Sequence, residues 1–83
     1  MKNILVVAKF NQAEALRVAA GLTLLSDPVR VAVLGAIEDT PAVNEQRELL
    51  EFAEVPCTAL ADAGAVRSQL PAELLAADVV YVI

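Results

Sequence analysis

A small three-layer α/β domain is the fold class that this sequence predicts, and three observations predict it. The run Ile4-Leu5-Val6-Val7-Ala8 is apolar throughout and rich in β-branched residues, which is typical of a strand buried on both faces. Three further apolar runs follow, and segments with helical patterns separate them. Strands that alternate with helices form parallel sheets through right-handed crossovers. We therefore predict a flavodoxin-like domain over residues 1–83, with a four-stranded, mainly parallel sheet, the first strand central and helices on both faces.

The first helix is predicted to begin after Asn11, a good N-cap, because Glu14 stands in the capping-box position three residues later. We expect it to continue to about Ser26. Apolar side chains cover most of its circumference: Leu16, Val18, Ala19, Ala20, Leu22, Leu24 and Leu25. Two interpretations stay open, a helix buried by its own small fold and a helix that also packs in a subunit interface.

The second strand is predicted over residues 29–37, after Asp27-Pro28 ends the first helix. A second helix follows to Glu54, with Asp39 or Thr40 as its cap and Pro41 in its first turn. Its pattern places five residues along one inner side: Val43, Gln46, Leu49, Leu50 and Ala53. We interpret its acidic opposite side as a solvated face, the alternative being an acidic functional patch.

The rest of the chain predicts a third strand over residues 55–61, a loop or turn at residues 62–64, a short helix over 71–77 and a last strand over 78–83. The last strand is apolar, and we expect it to be an edge. An exposed apolar edge invites aggregation, so we expect this strand to be paired or covered in an assembly.

Composition limits the classes of partner. The chain has 83 residues, 58% of them hydrophobic, and such a small apolar domain favours a homo-oligomer or an assembly with related subunits. No apolar run approaches the ~20 residues of a membrane-spanning helix. The net charge is -5 and the six basic residues are scattered, so we expect neither nucleic acid nor a membrane as partner. No secretory signal follows the N-terminus, which makes the cytoplasm the expected location.

Chemistry is limited by one cysteine and no histidine. A disulfide within the chain, a zinc site of Cys and His type and imidazole catalysis are thereby excluded. Neither a G-x-G-x-x-G nor a G-x-x-x-x-G-K-[ST] motif occurs, so we expect no nucleotide cofactor and no metal. These observations favour a protein that is not an enzyme.

Ligand-binding candidates follow the predicted strands, where doubly wound sheets bind their ligands. They are Lys9 and Asn11 after the first strand, Asp39 after the second and Asp62 after the third. The alternative is that Asn11 is only a helix cap and Lys9 only a solvated strand end.

Cys57 is the remaining chemical candidate. A single cysteine in a strand is usually core packing, and a reactive thiol needs nearby cations or a helix N-terminus to lower its pKa. The local sequence offers Glu54 before it and no base until Arg67. We therefore favour an inert thiol over a catalytic one.

The whole chain resembles the DsrE/DsrF/DsrH-like proteins. The resemblance lies in the apolar first strand, the Ala- and Leu-rich helix, the run of residues 29–35, the acidic second helix and the closing Ala77-Asp78-Val79-Val80-Tyr81-Val82-Ile83. It implies a flavodoxin-like sheet and a cytoplasmic oligomer such as a dimer, trimer or hexamer. In members with the family cysteine it also implies persulfide transfer in sulfur oxidation or tRNA thiolation. When the chain is compared with the family in this way, Leu60 stands at the position of the family cysteine, and Cys57 lies about three residues earlier.

Three hypotheses follow. The first is a non-catalytic, oligomer-forming structural or regulatory subunit linked to sulfur metabolism, whose apolar helix and last strand make the contacts. The second is a sulfur carrier that holds a persulfide on Cys57. The third is a small-ligand binding module at the carboxyl ends of the strands.

Overall fold

The computed structural model describes residues 2–83; Met1, where the predicted domain begins, lies outside the described residues. Strands and helices alternate along the chain, as the apolar runs predicted. Their order is β1 (Ile4–Ala8), α1 (Gln12–Leu22), β2 (Val29–Leu34), α2 (Pro41–Phe52), β3 (Cys57–Leu60), α3 (Ala63–Ala76) and β4 (Val79–Val82).

The four strands form one parallel sheet in the order β3-β2-β1-β4. β1 is an inner strand, and its Val6 is level with Val31 of β2 and Tyr81 of β4. The chain therefore moves outward from β1 through β2 to β3 and then crosses to the other side of β1. Right-handed crossovers put helices on opposite faces of the sheet when the direction in which successive strands are added reverses. α1 and α2 therefore lie on one face and α3 lies on the other. The predicted fold class is confirmed.

Both faces of β1 are buried, as its apolar run predicted. Ile4, Val6 and Ala8 pack into the larger core cluster beneath α1 and α2, while Leu5 and Val7 pack into a smaller cluster beneath α3. All five side chains are at most 4% exposed. Burial of an aliphatic side chain of this kind contributes about 1.5–3 kcal/mol, so β1 is the strand on which the stability of the domain depends most.

Several predicted ends were too long. α1 ends at Leu22 and not near Ser26, because the N–H groups of Thr23, Leu24 and Leu25 bond to carbonyls three residues back and close a tighter turn. β2 ends at Leu34 and not at residue 37, because Gly35 takes a positive φ of 111°. β3 and β4 are likewise shorter than the predicted ranges 55–61 and 78–83.

At the start of α2 the side chain of Thr40, not that of Asp39, is the cap, since Thr40 Oγ1 accepts a hydrogen bond of 3.2 Å from the N–H of Val43. Val43 and Leu50 are buried as predicted. The helix ends at Phe52, two residues before the predicted end at Glu54. The predicted inner side was wrong at Leu49 and Ala53, because both residues are exposed.

α3 corrects the prediction for residues 62–77. The stretch expected to be a loop followed by a short helix is one helix of 14 residues, with Pro71 inside it. Asp62 is its N-cap, because Oδ1 accepts a 2.8 Å hydrogen bond from the N–H of Ala65. Pro71 marks no helix start here. It removes the bond that a residue in its place would donate to the carbonyl of Arg67, and the other turns compensate for that loss.

An ion pair joins the middle of the sheet to α3. Arg30 of β2 contacts the carboxylate of Glu73 through Nη1, while Nη2 is buried without a partner among the described residues. Both side chains are about one-third exposed. The pair therefore helps to fix the orientation of α3 and contributes less than a fully buried pair would to stability. Within residues 2–83 no helix has the length and apolar character needed to cross a bilayer.

Candidate functional site

The four predicted ligand-binding residues all lie near the carboxyl ends of the strands. Lys9 and Asn11 follow β1, Asp39 lies between β2 and α2, and Asp62 follows β3. Asp62 is separated from the β1 loop by two strand spacings, about 10 Å, because β2 lies between β1 and β3. Cys57 is the first residue of β3 and thus lies toward the opposite end of the sheet.

The crevice where the strand order reverses lies between β1 and β4, and doubly wound domains bind ligands there. In this chain the backbone fills it. The N–H groups of Lys9, Phe10 and Asn11 all donate to the carbonyl oxygen of Ile83, over 2.8, 3.0 and 3.4 Å. The donors that a phosphate-binding loop would direct at its ligand are therefore engaged within the fold.

Gln12 connects two of the loops at this end of the sheet. Its Nε2 donates to the carbonyl of Ala36 over 2.9 Å, and its Oε1 accepts from the N–H of Glu38 over 2.8 Å. The amide of Gln12 thereby fixes the loop after β2 against the start of α1. No signal in the sequence indicated this role of Gln12, because it depends on the parallel pairing of β1 and β2.

Local contacts occupy the side chains of the predicted ligand-binding residues. Asn11 Oδ1 accepts from the N–H of Glu14 over 3.1 Å, which confirms it as the cap of α1. Asp62 caps α3, and Asp39 Oδ1 accepts from the side-chain amide of Asn44 over 2.8 Å. The ammonium of Lys9 lies 5.0 Å from the centre of the adjacent aromatic ring. A ligand site at these residues stays a prediction.

Glu14 and Arg17 form an ion pair on α1, near the same end of the sheet. The carboxylate accepts hydrogen bonds of 3.0 and 2.6 Å from the guanidinium. This hydrogen bonding lowers the pKa of Glu14 and raises that of Arg17. Both groups are exposed, so the pair fixes local charge and adds little to stability.

Cys57 is half-buried at the start of β3, on the sheet face that α2 covers. It lines a cavity of about 200 Å³ together with Ile37, Arg47, Leu50, Glu51 and Val55. Burial raises the pKa of the Cys57 thiol, and the charge of Arg47 opposes this rise only in part. At neutral pH the group is therefore a thiol, which is the less nucleophilic form.

Arg47 is the residue near Cys57 that sequence reasoning missed. It precedes the cysteine by ten residues, and the local sequence pointed to Arg67 as the nearest base. The packing of α2 over the sheet brings Arg47 to the cavity. Among residues 2–83, no three His, Cys, Asp or Glu side chains come together in a way that would hold a metal ion.

The third feature is an apolar surface on β4, which we name the β4 edge surface and define as Val80, Tyr81 and Val82. These side chains are 39%, 43% and 56% exposed, although their strand is apolar throughout. α1 packs on β1, β2 and α2, and α3 packs on β3, so neither helix packs broadly on β4. Leu74 and Leu75, in the last turn of α3, are also exposed. Sequence reasoning anticipated the edge strand but not these two leucines.

In the part of the chain that the structure describes, β1 pairs with one side of the β4 backbone and no strand pairs with the other side. The N–H of Ile83 donates to Val7 and its carbonyl accepts from Lys9, so the odd-numbered residues of β4 direct their polar groups toward β1. Because these directions alternate along a strand, Val80 and Val82 direct their N–H and C=O groups away from the sheet. Their side chains lie on the α3 face, since they are level with Leu5 and Val7.

Comparisons with known proteins give this geometry no counterpart: no protein-family model, no curated protein and no solved structure matches the chain.

Proposed function

We propose that this chain is a non-catalytic, oligomer-forming α/β domain that acts as a structural or regulatory subunit, with the β4 edge surface as its contact. The exposed, unprotected β4 strand is the observation that carries the proposal. The DsrE-like assignment and the link to sulfur metabolism are supported by the resemblance in the order and hydrophobic pattern of strands and helices.

Natural edge strands are normally protected by lysine, proline, bulges or a covering element, because their unpaired backbone groups bind other strands. β4 has the side chains Val-Val-Tyr-Val, none of them charged, and within residues 2–83 no helix packs broadly on either of its faces. A strand of this composition gains stability when another strand pairs with it and covers its side chains. Assembly through β4 is the arrangement that satisfies both needs.

The polar groups near the carboxyl ends of the strands support the non-catalytic part of the proposal. Asn11 and Asp62 serve as helix caps, and the N–H groups of the β1–α1 loop bind a backbone carbonyl. Catalytic groups need to reach a substrate, whereas these groups hold the fold together.

Sedimentation equilibrium of the untagged protein tests the proposal. We expect the weight-average mass to rise with concentration from about 8.7 kDa to a discrete multiple of that value. The assembly function is refuted if the protein keeps the monomer mass up to its highest soluble concentration and also binds no partner domain.

A sulfur carrier on Cys57 is the second candidate, and the cavity that Cys57 lines together with the cationic side chain of Arg47 is the observation that favours it. In the balanced step, the Cys57 thiolate attacks the outer sulfur of a persulfide donor. The S–S bond of the donor breaks, Cys57 becomes a persulfide, and the donor leaves as a thiolate. The raised pKa of Cys57 slows this step at neutral pH.

The intact mass of native protein after exposure to a persulfide donor tests this candidate, with Cys57→Ser as the matched control. A carrier gains one reducible sulfur, about 32 Da, in the wild type alone. If only the denatured protein gains this mass, Cys57 is a packing residue and the carrier function is excluded.

A further inference from the structure

We propose that the partner of the β4 edge surface is a second copy of this chain, with the two β4 strands paired antiparallel about a two-fold axis at Tyr81. This inference rests on the proposed assembly function and specifies its geometry. The result is a continuous eight-stranded sheet in which the outer edge of each copy is β3.

Symmetry determines the strand direction. A closed dimer of identical chains uses the same surface on both copies, and a two-fold axis perpendicular to the sheet makes the paired edge strands antiparallel. The hydrogen-bonding pattern then limits the register. Within residues 79–82, Val80 and Val82 are the residues that direct their backbone groups outward, and the N–H of Asp78 is already bonded to the carbonyl of Asn3. Val80 and Val82 must therefore face Val80 or Val82 of the other copy for both of their backbone groups to be bonded.

One register gives a hydrogen bond to each outward N–H and C=O group of Val80 and Val82. Val80 of each copy faces Val82 of the other and exchanges two hydrogen bonds with it. Tyr81 then faces Tyr81 in a non-hydrogen-bonded pair, where side chains come closest. The valine pairs extend the apolar face under α3, and the tyrosine rings stack on the face that α1 leaves open.

Charge complementarity supports this register. Val7 is level with Val82, so Lys9 lies two residues beyond Val82 along β1. In the second copy, Asp78 lies two residues before Val80, which faces Val82. Lys9 of one copy and Asp78 of the other are therefore level across two strand spacings, about 10 Å. An extended Lys9 side chain, turned away from the Phe10 ring, reaches the Asp78 carboxylate through Oδ1, while Oδ2 keeps its hydrogen bond from the N–H of Asn3. Because of the two-fold axis, the dimer contains two equivalent ion pairs of this kind.

The neighbouring register is less favourable. If Val80 faced Val80, then Val82 would face Asp78 of the other copy on the apolar face. The Asp78 carboxylate accepts a 2.7 Å hydrogen bond from the N–H of Asn3 within its own chain, and a valine side chain offers it no additional partner. The exposed carboxylate would lose water without compensation, which costs free energy.

Disulfide cross-linking in a Cys57→Ser background tests the inference. In the proposed register the Tyr81 Cα atoms are about 4.5 Å apart, within the span of a disulfide, so Tyr81→Cys forms a covalent dimer under mild oxidation. Val80→Cys is the matched control, since the two Val80 residues lie on a diagonal of about 7–8 Å and do not cross-link. Mixing Val80→Cys with Val82→Cys protein gives a cross-linked heterodimer and serves as the second measurement if Tyr81→Cys unfolds.

Cross-linking by Val80→Cys alone would overturn the register and with it the ion pair of Lys9 and Asp78. If the wild type sediments as an oligomer but no β4 variant cross-links, the antiparallel pairing is refuted while the proposed assembly function stands. A wild type that is monomeric at all concentrations refutes both. As a further check, Lys9→Glu weakens the dimer about three- to tenfold at low salt and less at high salt.

Discussion

The two outer strands of the sheet are built differently. β3 follows Pro56, exposes Thr58 and Ala59, buries Leu60 at 1% exposure and packs against α3. β4 has no charged side chain, and three of its residues are exposed by 39% or more.

This difference indicates where the chain meets another strand. A proline before the strand and small or polar exposed side chains reduce unwanted pairing at β3, whereas nothing within residues 2–83 protects β4 in this way. Both strands are predicted from the sequence at similar length, so the strand pattern alone does not show which edge is covered. What separates them is which strand the helices cover.

The largest expected effect contrasts a buried leucine of β3 with an exposed valine of β4. Leu60→Ala leaves a cavity in the cluster beneath α3 and lowers the free energy of unfolding by about 2–5 kcal/mol. Val82→Ala at monomeric concentration lowers it by less than about 1 kcal/mol, because its side chain is more than half exposed. Urea unfolding measures both. Equal losses would mean that the two edges do not differ in packing.

A lysine introduced into each outer strand tests which strand makes the contact of the assembly. Val82→Lys places an ammonium in the proposed interface and raises the dissociation constant of the assembly by at least about 30-fold, or 2 kcal/mol. Thr58→Lys, on the other edge, leaves it unchanged. Sedimentation equilibrium measures the constants, and circular dichroism shows whether each variant folds. The comparison fails if Thr58→Lys dissociates the assembly and Val82→Lys does not.

The cap of α3 gives a smaller effect. Asp62→Ala removes the hydrogen bond to the N–H of Ala65 and lowers the free energy of unfolding by about 1 kcal/mol. Asp39→Ala is the control, because Asp39 bonds a side-chain amide and not a helix N–H. Thermal unfolding compares the two variants, and an equal loss in both would remove the special role assigned to Asp62.

The smallest effect concerns Cys57 at alkaline pH. Because burial raises its pKa in the folded chain, the native state holds this proton to higher pH than the unfolded state does. The resulting stabilisation is complete below the pKa of the unfolded thiol and is lost as pH rises through the raised native value. Alkylation by iodoacetamide is therefore slower in native than in urea-unfolded protein at pH 8.

Arg47→Ala is the control for this titration. Arg47 partly offsets the effect of burial, so its removal shifts the alkylation profile of native Cys57 to still higher pH. A profile that moves to lower pH, or a native thiol that reacts as fast as the unfolded one, would contradict the role assigned to burial.

The order of the strands and helices followed from local signals in the sequence. β1 was recognisable because a run such as residues 4–8 has no polar side chain to place on a solvent face. Caps at Asn11 and Thr40 were recognisable because their hydrogen bonds join residues three apart. Such signals need no tertiary information.

The errors arose where distant residues decide the outcome. Pro71 signals a helix start by its local preference, but α3 begins at the cap Asp62 and continues through the proline. Leu49 fits the inner pattern of α2, yet Val43 and Leu50 take the contacts with the core and leave it half exposed. Arg47 reaches the Cys57 cavity only because α2 packs over the sheet. Periodicity cannot report contacts of this kind.

Amide hydrogen exchange at two protein concentrations tests the central claim most directly, because it reports on both edges in one experiment. The N–H groups of Val80 and Val82 point away from the sheet, as do those of Cys57 and Ala59 on β3. We predict that raising the concentration protects Val80 and Val82 and leaves Cys57 and Ala59 unchanged. Protection at β3 alone, or none at β4 while the protein sediments as an oligomer, would contradict assembly through β4.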